Sequence, residues 1–196
     1  DSISKILPYQ YEKIFNYDMQ VTLKSSLEEE QIQNLITNIK GNNQISEVIE
    51  TNMLSGVASK NDTEKDIQII IPNKNEDLKD CINLIDNESE ENVELNNEGI
   101  YITDKLAELL NVKEGDTISI ETTNEEIKEF KIVKIVENYV SHYVYISKDL
   151  YNENFETLYS TNTLLIKDKD LAEEEQQELA KEILQQNEIS TITLTS

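Results

Sequence analysis

Apolar residues recur along this chain in two rhythms, and the switches between them mark out the elements. Residues 18–24 place Met19, Val21 and Leu23 on one side of an extended chain, the period-2 pattern of a strand. Leu27, Ile32, Leu35, Ile36 and Ile39 then follow at helical spacing. Ser25 or Ser26 stands where an N-cap belongs, and Glu28, Glu29 and Glu30 fill a first turn where the helix dipole favours acids. Gly41 suits a left-handed stop. An extended stretch over 45–58 and an apolar strand over 66–72, ended by Pro72, come next. The spacing of Leu78, Cys81, Ile82 and Ile85 predicts one amphipathic helix over 76–86, and the polar run 87–97 predicts a loop. Ahead of all these, Ile3, Ile6, Leu7, Ile14 and Phe15 fit a short lead-in helix interrupted by Pro8.

The second half alternates faster. Ile100 and Ile102 belong to a short strand, and Thr103 stands where it can cap a helix carrying Leu106, Ala107, Leu109 and Leu110. Gly115-Asp116 marks a turn into the alternating strand 117–121. Strands are predicted over 130–136 and 143–147, and a short helix over 148–159 holding Leu150, Tyr151, Phe155 and Leu158. Strand 163–167, helix 171–186 and strand 189–194 close the chain. Each end thus reads β-α-β. The expected class is α+β: a split β-α-β ferredoxin-like outer lobe over 1–72 and 161–196, with a smaller, mainly β lobe inserted over 73–160. In such a sheet the first strand begins and the last strand ends on one edge, so both chain ends would emerge together.

Charge narrows the function. Seventeen lysines, no arginine and 40 acids give a net charge of −23. Such a chain cannot neutralise a phosphate backbone or read guanine bidentately, so nucleic acid is excluded. Anionic lipid surfaces repel it, whereas a cationic peptide or basic protein is drawn in. The plainer role of the acids is solubility. No apolar run approaches the roughly 18–20 residues of a membrane helix. The chain starts at Asp1 without Met and ends directly after a strand-like run, so it is expected to be cut from a longer protein.

Candidate chemistry is sparse. With one Cys and one His, Cys81 and His142, neither an intrachain disulfide nor a zinc cluster can form. Cys81 reads as a core thiol on an apolar face, and His142 as a packed or edge histidine. By alternation Tyr143, Tyr145 and Ser147 share one face, and His142, Val144 and Ile146 the other. The acidic runs 88–91 and 173–175 read as solvated charge, because no calcium-loop pattern accompanies them. The few glycines cannot make a phosphate-binding loop. Forty acids make some carboxylate pair inevitable, which leaves an acidic hydrolase as a third reading. The residues therefore assign no catalytic, cofactor-binding or metal-ligating position, and no cofactor. Tyr139, Tyr143, Tyr145, Tyr151, Phe155 and Tyr159 cluster in one segment, divided between core and an exposed contact patch.

A family resemblance rests on the block Gly99-Ile-Tyr-Ile-Thr103, Lys105-Leu-Ala107 and Val112-Lys-Glu-Gly115-Asp116-Thr-Ile118. Phe130-Lys-Ile-Val133, Val136-Glu-Asn-Tyr139 and His142-Tyr-Val-Tyr-Ile-Ser147 continue it, and residues 15–24 resemble the family's first strand after a membrane helix. Together they resemble the extracytoplasmic domain of MacB/FtsX-type ABC transporter permeases, in particular the large permeases of Firmicutes. A Leu-Ala helix followed by Gly-Asp also occurs in double-psi barrels; the order of the flanking elements favours the permease. The resemblance implies a MacB periplasmic-core-like domain on the extracellular side of the cell membrane, with no catalysis of its own. It implies transmembrane helices of the same chain and a separate ATP-binding subunit as partners. A cationic peptide or an extracytoplasmic protein is the external partner that the charge admits. A free-standing extracellular binding or adhesion module is the alternative.

Overall fold

The alternation at 19–23 becomes a strand because its odd positions reach a common core: Met19 and Val21 are fully buried and Leu23 nearly so. The structure, a computed structural model, describes residues 3–5 and 13–195. It divides into two compact units. Unit 1 comprises Asp1–Thr51, Asp80–Ile82 and Ser160–Ser196; unit 2 comprises Asn52–Lys79 and Asn83–Tyr159.

Unit 1 contains β1 (Ile3–Lys5), β2 (Met19–Leu23), α1 (Glu29–Lys40), the first part of β3 (Ile45–Lys60), β9 (Thr163–Asp168), α5 (Glu173–Leu184) and β10 (Ile189–Leu194). Its strands lie in the order β1-β10-β2-β9-β3. The pairs β10·β2, β2·β9 and β9·β3 are antiparallel, and β1·β10 is parallel. Ile32, Leu35, Ile36 and Ile39 of α1 and Leu179, Ala180 and Ile183 of α5 join Val21, Leu164, Ile166 and Ile192 in one core. Met19 pairs with Leu194, so the first long strand starts beside the end of the last. The Thr195 amide and hydroxyl fix that junction, donating to the carbonyls of Asp18 (3.1 Å) and Tyr17 (2.7 Å).

Unit 2 contains the rest of β3, β4 (Thr63–Pro72), α2 (Asn75–Leu78), β5 (Ile100–Thr103), α3 (Asp104–Leu110), β6 (Thr117–Thr122), β7 (Ile127–Val136), β8 (Tyr143–Tyr145) and α4 (Lys148–Asn154). Its strands follow the order β3-β4-β8-β5-β7-β6, and β6 pairs back onto β3 through Gly56–Ser59. The sheet therefore closes on itself as a barrel, which leaves no unpaired edge. Ile69, Ile71, Ile100, Ile102, Leu106, Ile118, Ile120, Ile132, Val144 and Phe155 fill its core. Gly56 sits at the seam: a Cβ there would lie 2.5 Å from the Glu121 carbonyl oxygen and 2.9 Å from Ile69 Cδ1.

Several sequence-based expectations change. The helix expected over 76–86 stops at Leu78. Beyond it the Cys81 carbonyl accepts the Asn16 amide (2.6 Å), Ile82 bridges to Phe15, and Ile85 bridges to Asn92. Pairing with distant backbone thus displaces the helical hydrogen bonds. The N-cap of α1 is Glu28, whose amide donates to Gln31 Oε1 (2.9 Å), while Ser26 adopts a left-handed turn. Gly41 is right-handed, because its amide and that of Asn42 continue bonding back to Thr37 and Ile39. Leu109 faces outward. The helix expected over 148–159 ends at Asn154, where the Glu126 carboxylate takes the amides of Glu156 (2.6 Å) and Thr157 (3.2 Å) and leaves Leu158 exposed. Of the lead-in helix, Ile3–Lys5 is instead β1, and residues 6–12 lie outside the described residues. Unit 2 begins at Asn52, within β3, which runs unbroken from Ile45 to Lys60.

Candidate functional site

The aromatic segment separates into interior and surface. Tyr145, Tyr151 and Phe155 are buried, with the Phe155 ring centroid 4.9 Å from that of Tyr151 and 5.8 Å from that of Phe130, both pairs tilted. Tyr143 is half-buried, its ring 6.1 Å from that of Tyr145. Tyr159 packs partly against the barrel core and carries the Lys148 ammonium 4.8 Å above its ring. Only Tyr139 stands clear, at 77% exposure, and Val140 beside it is 57% exposed.

These two residues ride on the loop from β7 to β8, and buried polar groups fix its path. Asn138 is fully buried, and its Oδ1 accepts the amides of Val140 and Ser141, both at 3.0 Å. That is an Asx turn, the local bond Asn makes best. The Asn138 amide in turn donates to Asp104 Oδ1 (3.1 Å) at the start of α3. Thr103 closes the other side: its hydroxyl donates to the Ser141 carbonyl (3.3 Å) and accepts the Tyr143 amide (3.1 Å). The Thr103 side chain therefore ties down the loop and does not cap α3. The result is a pre-ordered loop presenting an aromatic and an aliphatic side chain to solvent. Such a tip loses little conformational entropy on binding. The sequence reading included Tyr139 but missed Val140 and the anchoring roles of Asn138 and Thr103. The Asn two residues ahead of Val140 was the available signal.

The other candidates find structural roles. His142 lies at the foot of this loop, half-buried; its carbonyl accepts the Gln68 amide (2.9 Å), and its Nδ1 has no hydrogen-bond partner. Cys81 in unit 1 is fully buried, and burial, reinforced by the Glu47 charge, pushes its thiol up to about 12. That is the reverse of the shift that activates a nucleophile or ligand. In the acidic run 88–91 the amides of Glu88 and Ser89 cap Asp86 Oδ1 (2.8 and 3.1 Å), and the run itself is exposed. The run 173–175 opens α5, where Glu174, Glu175, Glu178 and Glu182 border a shallow groove of about 570 Å³. Among the described residues no group of three or more His, Cys, Asp or Glu could hold a metal ion. Asp18 and Asp168 come together, but Asp168 already accepts the Leu171 amide (3.1 Å) and Gln176 Nε2 (2.9 Å), while Asp18 Oδ2 accepts the Asp168 amide (2.7 Å). The pair ties β2 to the turn before α5.

No family model and no curated protein matches the sequence. Solved structures do match its fold. The periplasmic region of MacB from Actinobacillus actinomycetemcomitans aligns with a TM-score of 0.50 and 11% identity, over 89% of this chain and 86% of that one. The extracellular domain of the noncanonic ABC-type transporter YknZ from Gram-positive bacteria aligns with a TM-score of 0.50 and 13% identity, over 92% of this chain and 100% of that one. The chain is a mixed α/β protein with the fold of these extracytoplasmic domains. No helix among the described residues is long and apolar enough to cross a membrane.

Proposed function

We propose that this chain is the extracytoplasmic domain of an ABC transporter permease. In this reading it catalyses nothing. It couples motion of transmembrane helices in the same chain, driven by a separate ATP-binding subunit, to export or to control of an external substrate or partner. The observation that carries the reading is the fold shared with two extracytoplasmic transporter regions over most of the chain. The strand order β10-β2-β9-β3 supports taking unit 1 as a split β-α-β ferredoxin-like lobe and unit 2 as the mainly β insert. The pairing of β1 with β10 supports attachment through these two neighbouring strands, where a helix movement would pull on both. The Tyr139–Val140 loop is the contact point, and a cationic peptide or a basic extracytoplasmic protein is the partner that a net charge of −23 attracts to the domain.

Thiol labelling tests the placement. Cys81 is fully buried, so this thiol is silent to a membrane-impermeant maleimide. A Val140→Cys variant in the full-length protein is expected to label in intact cells and to stay with membranes after a carbonate wash. Labelling only after lysis overturns the extracytoplasmic placement. Labelling in intact cells with release by carbonate replaces the permease by a free-standing binding module.

A further inference from the structure

The barrel of unit 2 carries a polar groove away from the Tyr139–Val140 loop. Its position follows from strand directions. β4 and β8 are parallel, with Ile70 beside Tyr145, and β5 runs antiparallel to β8, with Tyr101 beside Tyr145. The carboxyl ends of β4 and β8 and the amino end of β5 therefore meet at one end of the barrel. Loops at the carboxyl ends of parallel strands are where α/β proteins commonly hold ligands. Here those loops border an open groove of about 330 Å³, lined by Asn73, Lys74, Asn75, Glu76, Asn97, Lys148 and Asp149.

The lining chemistry selects a ligand class. Three carboxamides come from two loops, Asn73 and Asn75 after β4 and Asn97 before β5, and a carboxamide carries both donors and an acceptor. Lys148 and Asp149 are already engaged. The Lys148 ammonium donates to Asn73 Oδ1 (2.9 Å) and rests over the Tyr159 ring, and Asp149 Oδ2 accepts from Asn97 Nδ2 (3.4 Å). Asn75 Nδ2 donates to Asn97 Oδ1 (3.2 Å), which chains the amides together. Two lysines offset the two acids, so the groove carries no net charge to attract an ion. The field of the whole chain, at −23, disfavours an anion further. What complements linked amides in a neutral setting is a set of hydroxyls, which also donate and accept. From this geometry we infer that the groove binds a neutral saccharide, whatever the chain is attached to.

Amide-resolved NMR of the 196-residue chain tests this directly, with cellobiose and N,N′-diacetylchitobiose as neutral probes and free glutamine as the zwitterionic control. At least one saccharide is expected to give saturable shifts confined to residues 73–76, 97 and 147–149, with a dissociation constant on the order of 1 mM. Asn97→Ala and Asn75→Ala should each weaken it about tenfold or more. Asn97 is exposed, so its variant is expected to keep the parent's thermal midpoint. No saturation by either saccharide at about 20 mM overturns the assignment, as that limit lies well above the expected constant. So does unchanged binding in both variants, or saturation by glutamine in place of the sugars.

Discussion

Asp18 and Asp86 are carboxylates that the fold treats in opposite ways. Around Asp86, burial opposes ionisation, but the amides of Ser89 and Glu88 and the Lys134 ammonium at 3.2 Å outweigh it and hold the carboxyl below its ordinary range. A carboxyl with a depressed folded pKa adds stability above its unfolded value, about 3.9, and that stability fades as pH falls through the folded value. Asp86→Asn should therefore cost about 1–2 kcal/mol near neutrality, where charge-assisted bonds are lost. In urea titrations at pH 7 and pH 3 the deficit should shrink at the lower pH; an equal deficit at both would mean the charge is irrelevant. For Asp18, burial comes first and the Asp168 and Asp170 charges add to it, raising the carboxyl despite the Asp168 amide and Lys167. The sign reverses: its contribution is full below about 3.9 and is lost as pH rises through the raised folded value. Asp18→Asn keeps an oxygen for the Asp168 amide and removes the repulsion. Its thermal midpoint should rise about 1–3 °C at pH 7 and match the parent at pH 3.

At the level of elements, the sequence was most readable where a segment's pattern and its partners agree. Strand 189–194 and the cores of α1 and α5 follow directly from alternation and from helical stripes. Leu78-Cys81-Ile82-Ile85 misled, because helical spacing cannot reveal that Ile82 will pair with Phe15 and Ile85 with Asn92. The contact loop was half-legible for a similar reason. Tyr139 is visible as an aromatic, but its exposure depends on Asn138 and Thr103 bonding across 34 to 40 positions of sequence. The barrel seam left no local trace except a glycine. At Gly56 an added Cβ meets the Glu121 carbonyl of β6 and the Ile69 side chain, so backbone or core must yield. Gly56→Ala should cost about 1–3 kcal/mol, the usual range for overpacking, read as a lowered urea midpoint with unchanged slope. A neutral result would mean that β3 and β6 part easily and that the barrel is not closed in solution.

For the whole molecule, charge governs both stability and association, and salt separates the two. Forty acids against 17 lysines leave most carboxylates without a cation, and pairs such as Lys79–Glu94 and Lys181–Glu178 are exposed and worth little each. Mutual repulsion among the remaining acids opposes the folded state, in which they are held closest. Raising salt from about 0.01 M to 0.15 M shortens the screening length from about 30 Å to 8 Å. The urea midpoint should therefore rise over that range, whereas a chain dominated by surface ion pairs would lose stability. Attraction of a cationic partner draws on the same field with the opposite sign. Its association rate should fall over the salt range in which the domain becomes more stable. Binding that weakens while the fold strengthens cannot be blamed on unfolding, so this pairing of signs identifies electrostatic steering. If affinity for the cationic partner is instead independent of salt, the Tyr139–Val140 loop binds by apolar contact alone. The acidity is then left with solubility as its role.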